Sequence, residues 1–295
     1  MKATVYETIT NQIVEAIEAG ALTFTMPWHR GRCITHPINA RSQRLYRGVN
    51  IITLWATAEA KGYTSGEWAT YQQWAELGAQ VRKGEKATTV FFWKKANEAE
   101  EQDAEGSQEQ RHRFMARAYH VFNAAQVDNY TPKQVAPILS EAERDTQAEG
   151  FFGRLGADIR HGGERCFYSV TEDHIQMVPF DRFKSGLSYY ATLAHEVTHW
   201  TGAKHRLDRD LSGRFGSDSY AMEELVAELG AAFLSSRLGL EIEVRRDHAA
   251  YVDNWLKVLK ADSRAIFTAA AKAQAAVDYI LQKGGFETAT WEEAA

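Results

Sequence analysis

The chain's 295 residues suffice for one large domain or two of ordinary size, with a substantial buried core. An apolar share of 44% against a charged share of 25% is that of a folded globular chain, which sets aside disorder. A net charge of -5 is too thin to make the whole surface a mimic of DNA.

The first stretch, MKATVYETITNQIVEAIEAG, mixes charged and apolar residues at helical spacing. It predicts a helix over Tyr6–Ala19 ended by Gly20, without the apolar core of a secretory signal. No apolar run approaches the roughly 20 residues that a bilayer span requires, so no membrane partner and a cytoplasmic location are expected. Cys33 and Cys166 stand far apart with no metal-binding spacing and are expected to be reduced, buried thiols.

Residues 21–95 carry a basic excess that the whole-chain charge hides, with Glu59, Glu67, Glu76 and Glu85 as the only acids. The basic segments are TMPWHRGR, NARSQRLYRGVN, LGAQVRKGEK and VFFWKKA, and in three of these four the cations follow or flank aromatic residues. Such a mixture suits a groove in which Arg and Lys hold phosphates while bases stack on rings, so single-stranded nucleic acid bound with little sequence preference is the expected partner. Candidate contacts before the first strands are Arg30, Arg32, Arg41, Arg44, Tyr46, Arg47 and Asn50. Arg82, Lys83, Lys86, Trp93 and Lys94 follow them. Arg44, Tyr46, Arg47 and Asn50 form the most compact group, because they lead into a helix over Ile51–Lys61, capped by Asn50 and ended by Gly62, whose free N–H groups favour a phosphate. Trp55, Trp68, Tyr71, Trp74 and Phe92 are assigned to the core.

A further helix is predicted over Thr70–Leu77, ended by Gly78. ATTVFFWKK and RFMARAYHVF read as two strands of a hairpin, and the acidic NEAEEQDAEGSQEQ between them as a solvated loop at about 97–112. TPKQVAP, residues 131–137, is the expected linker, giving domains 1–130 and 138–295. The fold class is α+β: an N-terminal α+β domain and a mainly helical C-terminal domain with a small sheet. In the second, a helix is expected over Glu141–Leu155, then strands CFYSV and DHIQMVP, the latter as an edge on which an extended peptide can pair. Helices over Tyr189–Trp200, Tyr220–Leu238 and His248–Leu281 complete the chain, the last one broken.

The helix ending at Trp200 contains His195, Glu196 and His199, an HExxH pattern. Two histidines at i and i+4 aim both imidazoles at one point, and Glu196 beside the first reaches a water held there. A catalytic zinc takes three protein ligands and leaves a position for water. Two residues compete for the third place. His205 extends the pattern to HExxHxxGxxH, which resembles the metzincins, but the methionine turn of that group has no counterpart because Met222 falls within a helix. Glu224, with Glu228 one turn on as the carboxylate behind a ligand histidine, resembles the gluzincin arrangement and is preferred. Glu223 has Ala227 at the equivalent position and is the weaker candidate. The expected metal is Zn²⁺, with Mn²⁺ the other candidate, and the expected chemistry is peptide hydrolysis with Glu196 as base. Tyr189, Tyr190, Tyr220 and His205 are the candidate transition-state donors.

MPWHRG, YRGVNIITLW and GYTSGEWATYQQWAELGAQVRKGEKATTVFFWKK, followed by LAHEVTHWTGAKHRLDRDL and YAMEELVAELGAAFL, together resemble the ArdC antirestriction proteins of conjugative plasmids. The resemblance spans nearly the whole chain. It implies a single-strand DNA-binding domain followed by a zincin-type metallopeptidase domain, in proteins that protect incoming plasmid DNA from host restriction enzymes. It matches His195, Glu196 and His199 to the family's metal motif and Glu224 to the helix completing it. Coating of DNA, interference with a restriction enzyme and proteolysis of a host protein are all compatible with it. Two alternatives stand beside this one: a DNA-dependent protease acting on DNA-bound or crosslinked proteins, and a non-enzymatic DNA-binding protein with a vestigial metal site.

Overall fold

The computed structural model describes residues 4–21, 26, 35–95, 114–133, 141–214, 216–240 and 249–286. The N-terminal part runs α1 (Val5–Ala21), β1 (Ile38–Asn39), α2 (Val49–Lys61), β2 (Glu67–Thr70), α3 (Tyr71–Glu76), β3 (Gln80–Val81), β4 (Thr88–Lys95), β5 (Phe114–Asn123) and β6 (Val127–Asp128). Then follow α4 (Glu141–Gly153), β7 (Asp158–His161), β8 (Phe167–Ser169), β9 (His174–Met177), α5 (Gly186–Trp200), α6 (Asp218–Leu238), α7 (Ala249–Ala261) and α8 (Ala265–Lys283). An α+β N-terminal region and a mainly helical C-terminal region with a small sheet are what this order contains.

Four strands in the order β1-β2-β5-β4 form the N-terminal sheet, with β4 and β5 antiparallel from Thr88↔Val121 to Lys95↔Phe114. The hairpin is therefore present, while its acidic connection at 97–112 lies outside the described residues, as do residues 134–137 of the expected linker. Thr70 starts α3 with a capping box, its side chain accepting from Gln73 N while the Gln73 side chain accepts from Thr70 N. The start of α2 departs from expectation. Gly48 is its N-cap, and Asn50 lies inside the first turn with its side chain donating to Phe91 O at 2.6 Å and accepting from Phe91 N at 2.9 Å. The amide thus satisfies an otherwise unpaired peptide of β4 instead of a helix end.

Ile9, Ile13 and Ile17 make one buried stripe of α1. They join Ile51, Ile52 and Trp55 of α2 and the C-terminal helices in one continuous apolar cluster. The two regions therefore share a core. Trp55, Trp68 and Trp74 are buried as expected, whereas Tyr71 is 54% exposed, because the first residue of α3 faces outward from the sheet. The broken last helix divides between Ala261 and Ala265 into α7 and α8.

The C-terminal sheet has the order β7-β9-β8, parallel between β7 and β9 and antiparallel between β8 and β9. DHIQMVP is accordingly the central strand and not an edge. The unanticipated β7, the polar stretch Asp158–His161, pairs with one side of it and β8 with the other, so β7 and β8 are the two edges. Cys166, just before β8, is a half-buried thiol whose Sγ accepts from Val178 N; Cys33 lies outside the described residues.

Candidate metal centre

The centre is built on α5 and α6, packed face to face. Ser185 caps α5 by accepting from Ser188 N at 3.1 Å, and Ser217 caps α6 by accepting from Tyr220 N at 3.2 Å. Where the helices cross, Gly230 stands against Thr198: a Cβ there would sit 2.5 Å from Thr198 Cγ2. Only glycine admits this approach, and the approach brings one turn of α6 over the HExxH turn of α5.

His195, His199 and Glu224 converge, with ligating atoms all within 4.8 Å of one another. His195 Nε2 and His199 Nε2 are 3.2 Å apart, and the two oxygens of Glu224 lie 3.5 Å from His195 Nε2 and 3.6 Å from His199 Nε2. A tetrahedral zinc with ligand bonds of about 2.0–2.2 Å separates its ligand atoms by about 3.3–3.6 Å, so the three side chains have the spacing of one tetrahedral face. Behind them are two more carboxylates. His199 Nδ1 donates to Glu223 Oε1 at 3.1 Å, and Glu228 Oε2 lies 3.6 Å from His195 Nδ1. A carboxylate on the Nδ1 side turns each Nε2 lone pair toward the centre. The donor set is then imidazole lone pairs and carboxylate oxygens, which together suit a cation.

Glu223 thus meets His199 Nδ1 and stands outside the converging set, a placement that its lack of an i+4 acidic partner concealed. Arg209 holds it from the other side, Nη2 donating to Glu223 Oε1 at 2.8 Å and to Thr198 O at 2.6 Å. Burial works to raise the Glu223 carboxyl, but the His199 and Arg209 hydrogen bonds outweigh it and hold it below the usual carboxylate range. At Glu224 burial again opposes ionisation, and the hydrogen bond from His195 with the charges of both histidines brings its pKa down to about 2.

His205 is elsewhere. Its side chain is 64% exposed, with Nε2 3.3 Å from Asp173 Oδ2. The glycine of the longer letter pattern has its own reason: a Cβ on Gly202 would meet Arg209 Nη2 at 2.9 Å and His199 O at 3.0 Å in the turn that closes α5. Next in the chain, Arg206 lies 4.1 Å over the Trp200 ring and donates to Tyr168 Oη at 3.0 Å and to Asp173, tying β8 and the β8–β9 turn to the end of α5. Neither Arg206 nor Arg209 was singled out by spacing; their signal was membership of the run KHRLDR after the motif.

A cleft of about 540 Å³ opens over these groups, lined by His195, Glu196, His199 and Glu224 on its floor and by Phe167, Tyr168 and Val170 along β8. Of the four candidate donors, Tyr220 lines the cleft and hydrogen-bonds Glu224. Tyr189 and Tyr190 are buried at 6% and 5%, outside the lining.

The candidate nucleic-acid residues are spread more widely. Tyr46 is 1% exposed with its ring against Phe92, so it has no face for a base, and Asn50 is committed to Phe91. Arg47 pairs with Asp278 of α8, and Gly48 N donates to Gln274 Oε1 at 3.1 Å, which makes this segment a joint between the two regions instead of an open phosphate site. Arg41 pairs with Glu76, and Arg82 with Glu85 and Asp128. Arg44, Lys83 and Lys86 make no ion pair among the described residues; Arg30 and Arg32, and the side chains of Trp93 and Lys94, lie outside that set.

Two family models match the chain: the N-terminal domain of anti-restriction factor ArdC over residues 3–122, and a zincin-like metallopeptidase over residues 146–272. The crystal structure of the antirestriction ArdC protein from plasmid R388, in its metal-free form, is similar with a TM-score of 0.79 and 40% identity, over 97% of this chain and 100% of that one. Its Mn(II)-bound structure is similar with a TM-score of 0.76 and 39% identity, over 96% of this chain and 98% of that one. Among curated proteins, y4eC of Sinorhizobium fredii, itself uncharacterized, is 53% identical over 94% of this chain and 91% of its own length. A DNA primase TraC of Escherichia coli is 38% identical over 95% of this chain, which spans only 27% of the primase.

Proposed function

Since the chain belongs to the family of ArdC antirestriction proteins, we propose that it is an antirestriction factor that binds single-stranded DNA with little sequence preference and protects plasmid DNA entering by conjugation. The DNA-binding part is residues 1–130. Residues 138–295 are a metal-dependent peptidase whose targets are host proteins, a restriction enzyme among them. The observation that carries the peptidase reading is the convergence of His195, His199 and Glu224 on the floor of a cleft that also holds Glu196.

His195, His199 and Glu224 hold the ion, and this two-imidazole, one-carboxylate set suits Zn²⁺ or Mn²⁺. When bound, the metal supplies Lewis acidity toward a carbonyl and toward water. Glu196, buried at 3% exposure and adjoining the first ligand, takes the proton of the attacking water on its carboxylate and returns it to the leaving amine nitrogen. The edge of β8 aligns an extended peptide along the cleft by main-chain pairing, with Phe167 and Val170 as its apolar contacts. Tyr220 donates toward the oxygen on which negative charge develops. Glu223 and Glu228 orient the two histidines.

A protease aimed at proteins already bound to DNA is the second reading. What favours it is the shared apolar cluster, which joins the helices of the cleft to α1 and α2 of the DNA-binding part. Assays of casein cleavage in Zn²⁺ or Mn²⁺, with and without single-stranded DNA, address both. Glu196→Gln is expected to keep its metal and lose cleavage by about a hundredfold or more. Cleavage by Glu196→Gln at the wild-type rate would remove the catalytic assignment, and stimulation by DNA would select the second reading.

A further inference from the structure

A pocket of about 730 Å³ lies beside α3, lined by Tyr71, Val81, Lys83, Phe122 and Asp128 among others. Tyr71 is exposed, at 54%, whereas Tyr46, Trp55, Trp68, Trp74 and Phe91 are buried. Its hydroxyl accepts from Gln80 Nε2 at 2.9 Å, which holds the ring at the pocket's rim. Half-buried Phe122 and buried Val81 give the pocket an apolar floor. The turn after β3 closes one side: Glu85 N donates to Arg82 O at 3.3 Å, and Gly84 at φ 90° lets Lys83 stand at the tip.

The charges here are not equivalent. Arg82 spends its guanidinium on Ala125 O and Val127 O and on Glu85, and lies 3.6 Å from Asp128. Both acids beside the pocket are thereby compensated. Lys83 is exposed and makes no ion pair among the described residues, so it is the cation left for an anion at this rim.

We propose that a base of single-stranded DNA stacks on Tyr71 in this pocket while Lys83 holds an adjoining phosphate. This rests on the single-strand binding proposed above and gives it a place. A ring pinned at its hydroxyl offers a π-face that every base matches, so the site favours single strands and tolerates any sequence. It stands apart from the Arg44–Asn50 segment, whose Tyr46 and Asn50 are committed to the interior.

Fluorescence anisotropy with a fluorescein-labelled oligothymidylate, and with an abasic oligomer of equal length, tests it. Tyr71→Ala is expected to weaken oligothymidylate binding about tenfold and leave abasic binding unchanged; Tyr71→Phe, which keeps the π-face and loses only the hydrogen bond from Gln80, is expected to retain part of the preference. Lys83→Ala is expected to weaken both ligands and lower the salt slope by about one single-strand phosphate contact. Wild-type affinity for both oligomers in a Tyr71→Ala protein with an unaltered melting curve overturns this site alone, as does an equal loss on both. A wild-type chain that binds neither oligomer overturns the single-strand reading itself.

Discussion

Glu223 illustrates what one side chain's position adds to its identity. Along α6 it has no acidic neighbour one turn on, yet across to α5 it accepts from His199 Nδ1 and is itself held by Arg209. Glu223→Ala is expected to leave the three ligands in place and weaken metal binding by about 10- to 100-fold, the usual cost of losing a carboxylate behind a ligand histidine. Titration with Mn²⁺ followed by calorimetry measures it; an unchanged affinity would mean that His199 needs no such support. His195, His199 and Glu196 were legible because their relation is local to one helix turn. Glu224 was legible because a like-charge i,i+4 pair with Glu228 asks for a cation. The support from Glu223 and Arg209 was not, because it crosses from one element to another. The same limit governs the cations: the basic excess of residues 21–95 is visible in the chain, but that Arg47 is neutralised by Asp278, 231 positions away, is not.

At the scale of elements, the close crossing of α5 and α6 sets the metal site. Gly230→Ala adds a methyl where Thr198 already stands, and Thr198 Oγ1 is committed to Ala194 O at 2.8 Å. On an unconstrained helix this change would stabilise by about 1 kcal/mol; here overpacking is expected to reverse the sign and destabilise by about 1–3 kcal/mol. Urea unfolding of the metal-free protein decides between the two signs. Helices α1, α5 and α8 were readable from their periodicity, whereas α6 is buried nearly all round and was readable from its run of helix-forming residues; Ser185 and Ser217 cap α5 and α6. The small sheet was readable only in part. Phe167–Ser169 and His174–Met177 have strand character in the sequence, but β7 is a polar strand with three of its four residues exposed, and without it DHIQMVP looks like a rim. The edges are consequently β7 and β8, and the one that borders the cleft is β8.

Across the whole molecule, the division into two domains coexists with one apolar cluster common to both, beside two smaller clusters that belong to the N-terminal region alone. His36, from the N-terminal region, is buried at the joint: its Nε2 donates to Tyr46 O at 2.9 Å, and its Nδ1 is 2.8 Å from Ser236 Oγ on α6. Burial pushes its pKa down to about 4, with the charges of Arg237 and Arg47 acting in the same direction and the Tyr46 carbonyl against it. The unfolded chain therefore binds this proton more readily than the folded one. The stability contributed by neutral His36 is intact above pH 6.5 and is lost as pH falls toward 4, an effect of about 3 kcal/mol. Urea midpoints measured across that range should fall more steeply for wild type than for His36→Gln; parallel curves would remove His36 from the acid response. No helix among the described residues is long and apolar enough to cross a membrane.

On the function proposed above, α5 and α6 together, and not the HExxH stretch alone, make the metal centre. Metal content of the purified protein after loading with Zn²⁺ or Mn²⁺, compared among wild type, Glu224→Ala and His205→Ala, tests it most directly. Wild type and His205→Ala are expected to retain the ion while Glu224→Ala loses it. Retention by Glu224→Ala together with loss by His205→Ala would contradict it, since the third ligand would then come from the loop after α5.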